Sequence, residues 1–216
     1  MLPNLFTWLP LPHLPQVPEH FVQRALDLAK DAESNTWTDD NKIFSLGIAR
    51  PEDYKRKLIQ NGEEINTRIQ RVFFMGEDWE QWVRENIFPR FTETSVRPSL
   101  GDSRTHGPHC DNPGKIRLYY LLDRGGDDAE TLFYYKPGTG SAVWDVDKHY
   151  EENNKAPILC NNIDELEVLD RVKFPINQWV LFNGYVLHGV NNVDHMRVNL
   201  NVSIRPEDFT FDIRPT

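Results

Sequence analysis

His109-Cys110-Asp111, then Ile116-Arg117-Leu118-Tyr119-Tyr120-Leu121-Leu122, then Arg124-Gly125-Gly126-Asp127-Asp128 and Thr131-Leu132-Phe133-Tyr134-Tyr135, is the stretch on which the reading of this chain turns. The two apolar, β-branched and aromatic runs predict strands, and the Gly-Gly cluster between them predicts a turn, so together they predict a hairpin. In an extended segment residues two apart share a face, so His109 and Asp111 point the same way and Cys110 points the other. An imidazole and a carboxylate on one face can serve one metal ion.

Working outward, Trp179-Val180-Leu181-Phe182 predicts a further strand and Asn183-Gly184 a turn. Val186-Leu187-His188-Gly189-Val190 re-enters a strand, and Arg197-Val198-Asn199-Leu200-Asn201-Val202-Ser203-Ile204 predicts another. Taken alone, His-x-Asp is common by chance and marks a surface pair. With His188 and Arg197 downstream it becomes two imidazoles, one carboxylate and a strand arginine. Three such ligands on one face of an octahedron leave three positions open, which suits non-haem Fe(II). His109, Asp111 and His188 are therefore the candidate metal ligands and catalytic centre. His106 lies three residues before His109 but forms no His-x-Asp, because residue 108 is proline; a pocket rim and a plain loop both fit it. His13, His20, His149 and His195 have no partner spacing.

The chain has 216 residues, 39% hydrophobic and 26% charged, so a soluble globular class with a sizeable core is expected. Its net charge is -9, which disfavours a broad nucleic-acid footprint, though Lys115, Arg117 and Arg124 keep a local basic groove open. There are two cysteines, Cys110 and Cys160, and the first sits inside the metal motif. A structural disulfide is thus not expected, and a reducing cytoplasm is the default location. No apolar run approaches the ~20 residues of a membrane span. Residues 1–17 lack a basic start and a continuous apolar stretch, so they read as an extended arm on the domain rather than a signal peptide.

Helical spacing of Phe21, Val22, Ala25, Leu28 and Ala29 predicts a helix over 18–32. Residues 41–50 predict a strand, and residues 51–70 a mostly polar helix with a break at Gly62. Residues 78–86 predict another helix, with Trp79, Trp82 and Val83 on one side, stopped by Pro89. Val172–Phe174 predicts a strand, and 142–162 a lid or solvated loop carrying Trp144, Asp145, Asp147, His149 and Tyr150. The fold class expected is mainly β with bracing N-terminal helices (α+β). It forms one domain over 1–216, with helix-rich support over 1–90 and a β core over 91–216.

From Ser99 to Ile204, about half the chain, these segments in this order resemble the 2-oxoglutarate and Fe(II)-dependent dioxygenases, particularly the prolyl-hydroxylase-like branch. The resemblance rests on His109-Cys110-Asp111, Ile116 to Leu122, Gly125-Gly126 with Glu130-Thr131-Leu132-Phe133, Val172-Lys173-Phe174-Pro175, Trp179 to Phe182, His188-Gly189-Val190 and Arg197-Val198-Asn199. It implies a double-stranded β-helix (a cupin-like jelly roll), with His109, Asp111 and His188 holding iron. It also implies Arg197 as the partner of the 2-oxoglutarate C5 carboxylate, a task suited to a planar, permanently charged fork. Tyr120 falls where such enzymes place a tyrosine hydroxyl on that carboxylate; Tyr119 faces the other way, so only one of the pair qualifies, and Tyr120 as core is the alternative. Asn199 and Ser203, on Arg197's side of the strand, would line the same end. Asp127-Asp128-Ala129 lengthens the usual tight Gly-Gly-Glu-Thr run. No tyrosine stands about ten residues before His109, where many relatives carry one.

The activity implied is hydroxylation with Fe(II), 2-oxoglutarate as co-substrate and O₂, giving succinate and CO₂. Asp111, present where halogenating relatives have a small residue, favours hydroxylation. The partner implied is an unidentified substrate, either a protein or peptide side chain (prolyl) or a small molecule. The competing classes are a cupin-like metal protein using Fe, Mn or Zn without 2-oxoglutarate, and a non-catalytic module; Arg197 argues against the first and the complete ligand set against the second.

Overall fold

The computed structural model describes residues 6–33, 58–60, 63–65, 69–70, 72–100, 108–111, 116–135 and 166–205. Along the chain these form β1 (Trp8–Pro10), α1 (Glu19–Glu33), β2 (Leu58–Gln60), β3 (Glu63–Ile65), β4 (Ile69–Gln70), α2 (Glu77–Asn86), β5 (Glu93–Leu100), β6 (Ile116–Asp123), β7 (Glu130–Tyr135), β8 (Glu167–Val172), β9 (Trp179–Asn183), β10 (His188–Asn191) and β11 (Arg197–Ile204). A six-stranded sheet has the order β1-β9-β6-β11-β5-β4, and a three-stranded sheet the order β10-β7-β8. All named strand pairings are antiparallel. Leu121, Val180 and Phe182 of the large sheet cluster with Phe133 and Val172 of the small one, so the two sheets face each other as a β-sandwich of jelly-roll type.

Strand β11 explains how the sandwich is organised. Val198, Leu200, Val202 and Ile204 alternate with Arg197, Asn199, Asn201 and Ser203. With a period of two, the first set lies on one face and the second on the other. The apolar set joins Leu118 and Tyr120 of β6 and Trp179 and Leu181 of β9 against Phe21 and Ala25 of α1 and Trp79 and Val83 of α2. This outer core braces the large sheet with helices. The polar set is turned toward the small sheet, yet Asn199, Asn201 and Ser203 are buried. A buried polar face inside a sandwich costs desolvation unless its groups are paired or used.

The helices form for ordinary reasons. In α1 the buried Phe21, Ala25 and Ala29 recur every four residues. In α2 the acidic first turn, Glu77, Asp78 and Glu80, suits the positive end of the helix dipole. Arg24 of α1 clasps Asp78 of α2 with both terminal nitrogens at 2.8 Å, and Phe21 meets Trp79 edge-on at 5.2 Å. No helix among the described residues is long and apolar enough to cross a membrane.

Several expectations need correction. Ile116–Leu122 and Thr131–Tyr135 do not pair as a hairpin: β6 lies between β9 and β11, whereas β7 lies in the small sheet. The turn that joins them is a crossover between sheets. Gly125 (φ 85) and Gly126 (φ 144) take backbone conformations that other residues resist, and the added Asp127-Asp128-Ala129 supplies the reach. Within 51–70 the described residues form the short strands β2, β3 and β4 rather than a helix. Strand β5 carries Pro98 and alternating polar residues, which hid it. The predicted Val172–Phe174 strand lies earlier, as β8. The predicted strand over 41–50, the lid over 142–162, His106 and Cys160 lie outside the described residues. The N-terminal arm is extended as expected: β1 pairs with β9, and Trp179 Nε1 donates to Pro15 O at 3.0 Å.

Candidate metal centre

His109 and His188 are brought together by main chain. His109 N donates to His188 O at 2.8 Å and His188 N to His109 O at 2.9 Å, the closed pair of an antiparallel ladder. Asp111 N then donates to Gly184 O at 2.8 Å, extending the pairing. Residues opposite one another in such a ladder share a face, so the two rings lie side by side, with centroids 4.6 Å apart. His109, Asp111 and His188 each offer a ligand atom, and all of these lie within 4.8 Å of one another. The group could hold one metal ion.

The protonation states suit that use. His188 Nδ1 donates to Val186 O at 2.8 Å, which fixes the neutral tautomer and leaves Nε2 as the free lone pair. Burial holds His188 below its ordinary value, outweighing the Asp111 carboxylate that pulls the other way. Burial acts against the charged form of Asp111, but Arg117, His188, His109 and Arg97 overcome it and hold the carboxyl well below its usual range. Near neutral pH His188 is therefore a neutral imidazole and Asp111 a charged carboxylate. Cys110 points away, its Sγ 3.4 Å from Tyr185 O, and burial pushes its thiol far up; it is an inert packing residue.

Arg197 opens β11 on the same inner face. Burial lowers its affinity for a proton, against the pull of Tyr119. Its Nε and the Nδ2 of Asn199 are buried donors with no hydrogen-bond partner among the described residues. Two buried donors two residues apart on one strand, one of them cationic, could receive an anion. Gly125 makes this possible: a β-carbon there would lie 3.0 Å from Arg197 Cβ and 3.1 Å from His195 O. The crossover turn thus lies directly against the arginine.

Three expected or overlooked residues change place. Tyr120 turns to the helix side, where its hydroxyl donates to Gln16 Oε1 at 2.6 Å and its ring packs 5.1 Å from Trp179. It anchors the N-terminal arm and does not join the site. Tyr119 faces inward instead, its ring 4.9 Å from Phe182, which stands edge-on to His188 at 4.6 Å. Ser203 is also displaced. Six residues along a strand is roughly 20 Å, and its hydroxyl accepts from Arg117 Nη1 at 3.4 Å, at the Asp111 end. Arg117 itself pairs directly with Asp111 through Nε. The signal for it was present: a lone arginine in an otherwise apolar strand, on the same two-residue period as Tyr119.

No protein-family model matches the chain, and no curated protein matches it. Among solved structures it is similar to E. coli ycfD, with 13% identity and a TM-score of 0.38 over 66% of this chain and 34% of that one. It is also similar to EvdMO1 (12% identity, TM-score 0.42, 94% of this chain and 49% of that one). AviO1 from Streptomyces viridochromogenes Tue57 has 12% identity and a TM-score of 0.41, over 94% of this chain and 93% of that one. The chain spans about a third of ycfD and half of EvdMO1. These likenesses are distant, and the functional reading rests on the residues.

Proposed function

We propose that this chain is an Fe(II)- and 2-oxoglutarate-dependent oxygenase that hydroxylates its substrate within a double-stranded β-helix. One observation carries the reading: a largely buried His109/Asp111/His188 cluster, with His109 at its half-buried edge, shares an interior face with a cation, Arg197, whose Nε has no partner among the described residues. The donor set fits Fe(II), and the orphaned donors fit a dicarboxylate. A metal site with no carboxylate to hold would have no use for an inward guanidinium whose buried Nε has no partner among the described residues, which favours this reading over a cupin-like enzyme without 2-oxoglutarate.

Fe(II) with 2-oxoglutarate, when bound, supplies O₂ activation coupled to decarboxylation, so that R–H, 2-oxoglutarate and O₂ become R–OH, succinate and CO₂. The chain's own residues do the rest. Val186 O holds the His188 ring in register. Arg197 would receive the distal carboxylate, with Asn199 Nδ2 and the Tyr119 side chain on the same face. Phe133 and Phe182, both within 6.3 Å of the His188 ring by centroid, wall the site from water. The substrate class is a protein or peptide side chain (prolyl) or a small molecule of similar polarity.

The test is succinate formation. Protein loaded with Fe(II) and supplied with 2-oxoglutarate, O₂ and a panel of prolyl peptides and amino acids is expected to release succinate and CO₂ in equal amounts. His109→Ala and Asp111→Ala should release none and retain no iron. Metal-loaded protein that forms no succinate with any of the panel, or an Asp111→Ala variant with wild-type turnover, contradicts the proposal.

A further inference from the structure

Arg117 touches the carboxylate of a candidate ligand and is absorbed by none of the roles above. Its side chain is 4% exposed and that of Asp111 12%. Arg117 Nε donates to Asp111 Oδ2. Its Nη1 donates to Asn201 Oδ1 at 3.5 Å and to Ser203 Oγ at 3.4 Å. Asn201 Nδ2 in turn donates to Ser203 Oγ at 3.2 Å. The guanidinium is thus pinned to the neighbouring strand β11 at one end and to Asp111 at the other. Asn201 and Ser203 are the polar residues of β11 whose burial otherwise lacks a purpose.

A carboxylate can bind a metal through one oxygen or two. With two it would take four positions of an octahedron together with the histidines, leaving two open rather than three. A chelating keto acid and O₂ need three. A rigid donor that occupies one carboxylate oxygen forces the other to act alone. The same contact gives Asp111 a counter-charge when no metal is present, which a buried carboxylate needs.

We propose that Arg117 is a positioning residue that holds Asp111 Oδ2, so that Asp111 ligates a divalent first-row metal through one oxygen and the third coordination position stays open. This rests on the metal reading of His109, Asp111 and His188 given above. It concerns the chain's geometry before any reaction, so it is read out without turnover.

The experiment is anaerobic titration of the purified protein with Co(II), by calorimetry and by the visible d–d absorption of the bound ion, in wild type, Arg117→Gln and Arg117→Lys. Circular dichroism first confirms that each is folded at the temperature used. Arg117→Gln is expected to bind Co(II) about 10- to 100-fold more weakly, the usual consequence of removing an outer-shell partner. Its d–d envelope should also change, because the freed carboxylate can chelate. Arg117→Lys keeps the charge but not the fork, so it should fold even where Gln does not. It should bind at least about threefold more weakly than wild type, with the Gln-type envelope in part. Wild-type affinity, tighter binding or a superimposable spectrum in the folded variants overturns the inference while leaving the metal site standing. Wild type that binds no Co(II) removes the metal reading itself.

Discussion

Arg197→Met should weaken 2-oxoglutarate binding without weakening the fold. The guanidinium Nε is buried with no partner among the described residues, and burial already disfavours its charge. A carboxylate arriving there forms at least one charge-assisted hydrogen bond, worth roughly 1.5–3 kcal/mol. That corresponds to a dissociation constant about 10- to 150-fold higher in the variant, since each 1.4 kcal/mol is tenfold. The metal ligands lie on other segments, His188 on β10 and His109 and Asp111 outside the named strands, so metal affinity should change less than about threefold, in line with additivity for separate sites. The ligand-free Tm should hold or rise, because methionine of similar length replaces a buried cation whose Nε has no partner among the described residues. The assay is calorimetric titration of Mn(II)-loaded protein with 2-oxoglutarate under argon, beside thermal melts of the apoprotein. A wild-type dissociation constant would show that Arg197 does not hold the carboxylate. So would a large Tm loss, which would mean that Arg197 is structural.

Tyr119→Phe should raise the dissociation constant for 2-oxoglutarate, whereas Tyr120→Phe should leave it unchanged and instead lower Tm by loosening the contact with Gln16; the same titrations and melts decide, and the reverse pattern would restore Tyr120 to the site. Gly125→Ala should cost about 1–3 kcal/mol for the strained backbone, on the order of 2–4 °C in Tm per kcal/mol, and should weaken 2-oxoglutarate binding by pressing on Arg197; a neutral result in both would show that the turn does not position the arginine. The Arg24 hydrogen bonds lower Asp78 from 3.8 to about 2, with burial opposing and the Trp79 amide assisting. A depressed carboxyl stabilises the fold above its unfolded value, so this contribution is complete above pH 3.8 and is lost as pH falls toward 2. Melts across that range should be flatter in Arg24→Met than in wild type.

How far the sequence could be read depends on which physical signal each part carries. The three candidate ligands were legible because a two-residue spacing places His109 and Asp111 on one face whatever the rest of the fold does. Their meeting with His188 was inferred only from order along the chain; the pairing of 109–111 with 184–188 is a long-range contact that no local pattern encodes. Strand β11 was legible for the same reason as the motif, since its alternation is strict. The β6–β7 hairpin was misread because a turn cluster between two β-rich runs is compatible with both a hairpin and a sheet-to-sheet crossover; the added Asp127-Asp128-Ala129 was the sign of the second. The resemblance favours Tyr120 over Tyr119, yet the parity of β6 turns Tyr120 to the helices and Arg117 and Tyr119 to the interior. Ser203 shares a face with Arg197, but sharing a face does not mean sharing an end.

The most direct test of the central claim is anaerobic titration of the apoprotein with Fe(II) and then 2-oxoglutarate, followed by visible absorption. A weak charge-transfer band from the chelated keto acid is expected in wild type, with its loss in His188→Ala. Iron binding with no band on adding 2-oxoglutarate would contradict the role assigned to Arg197 and leave a metal protein of another kind; no iron binding at all would contradict the site itself.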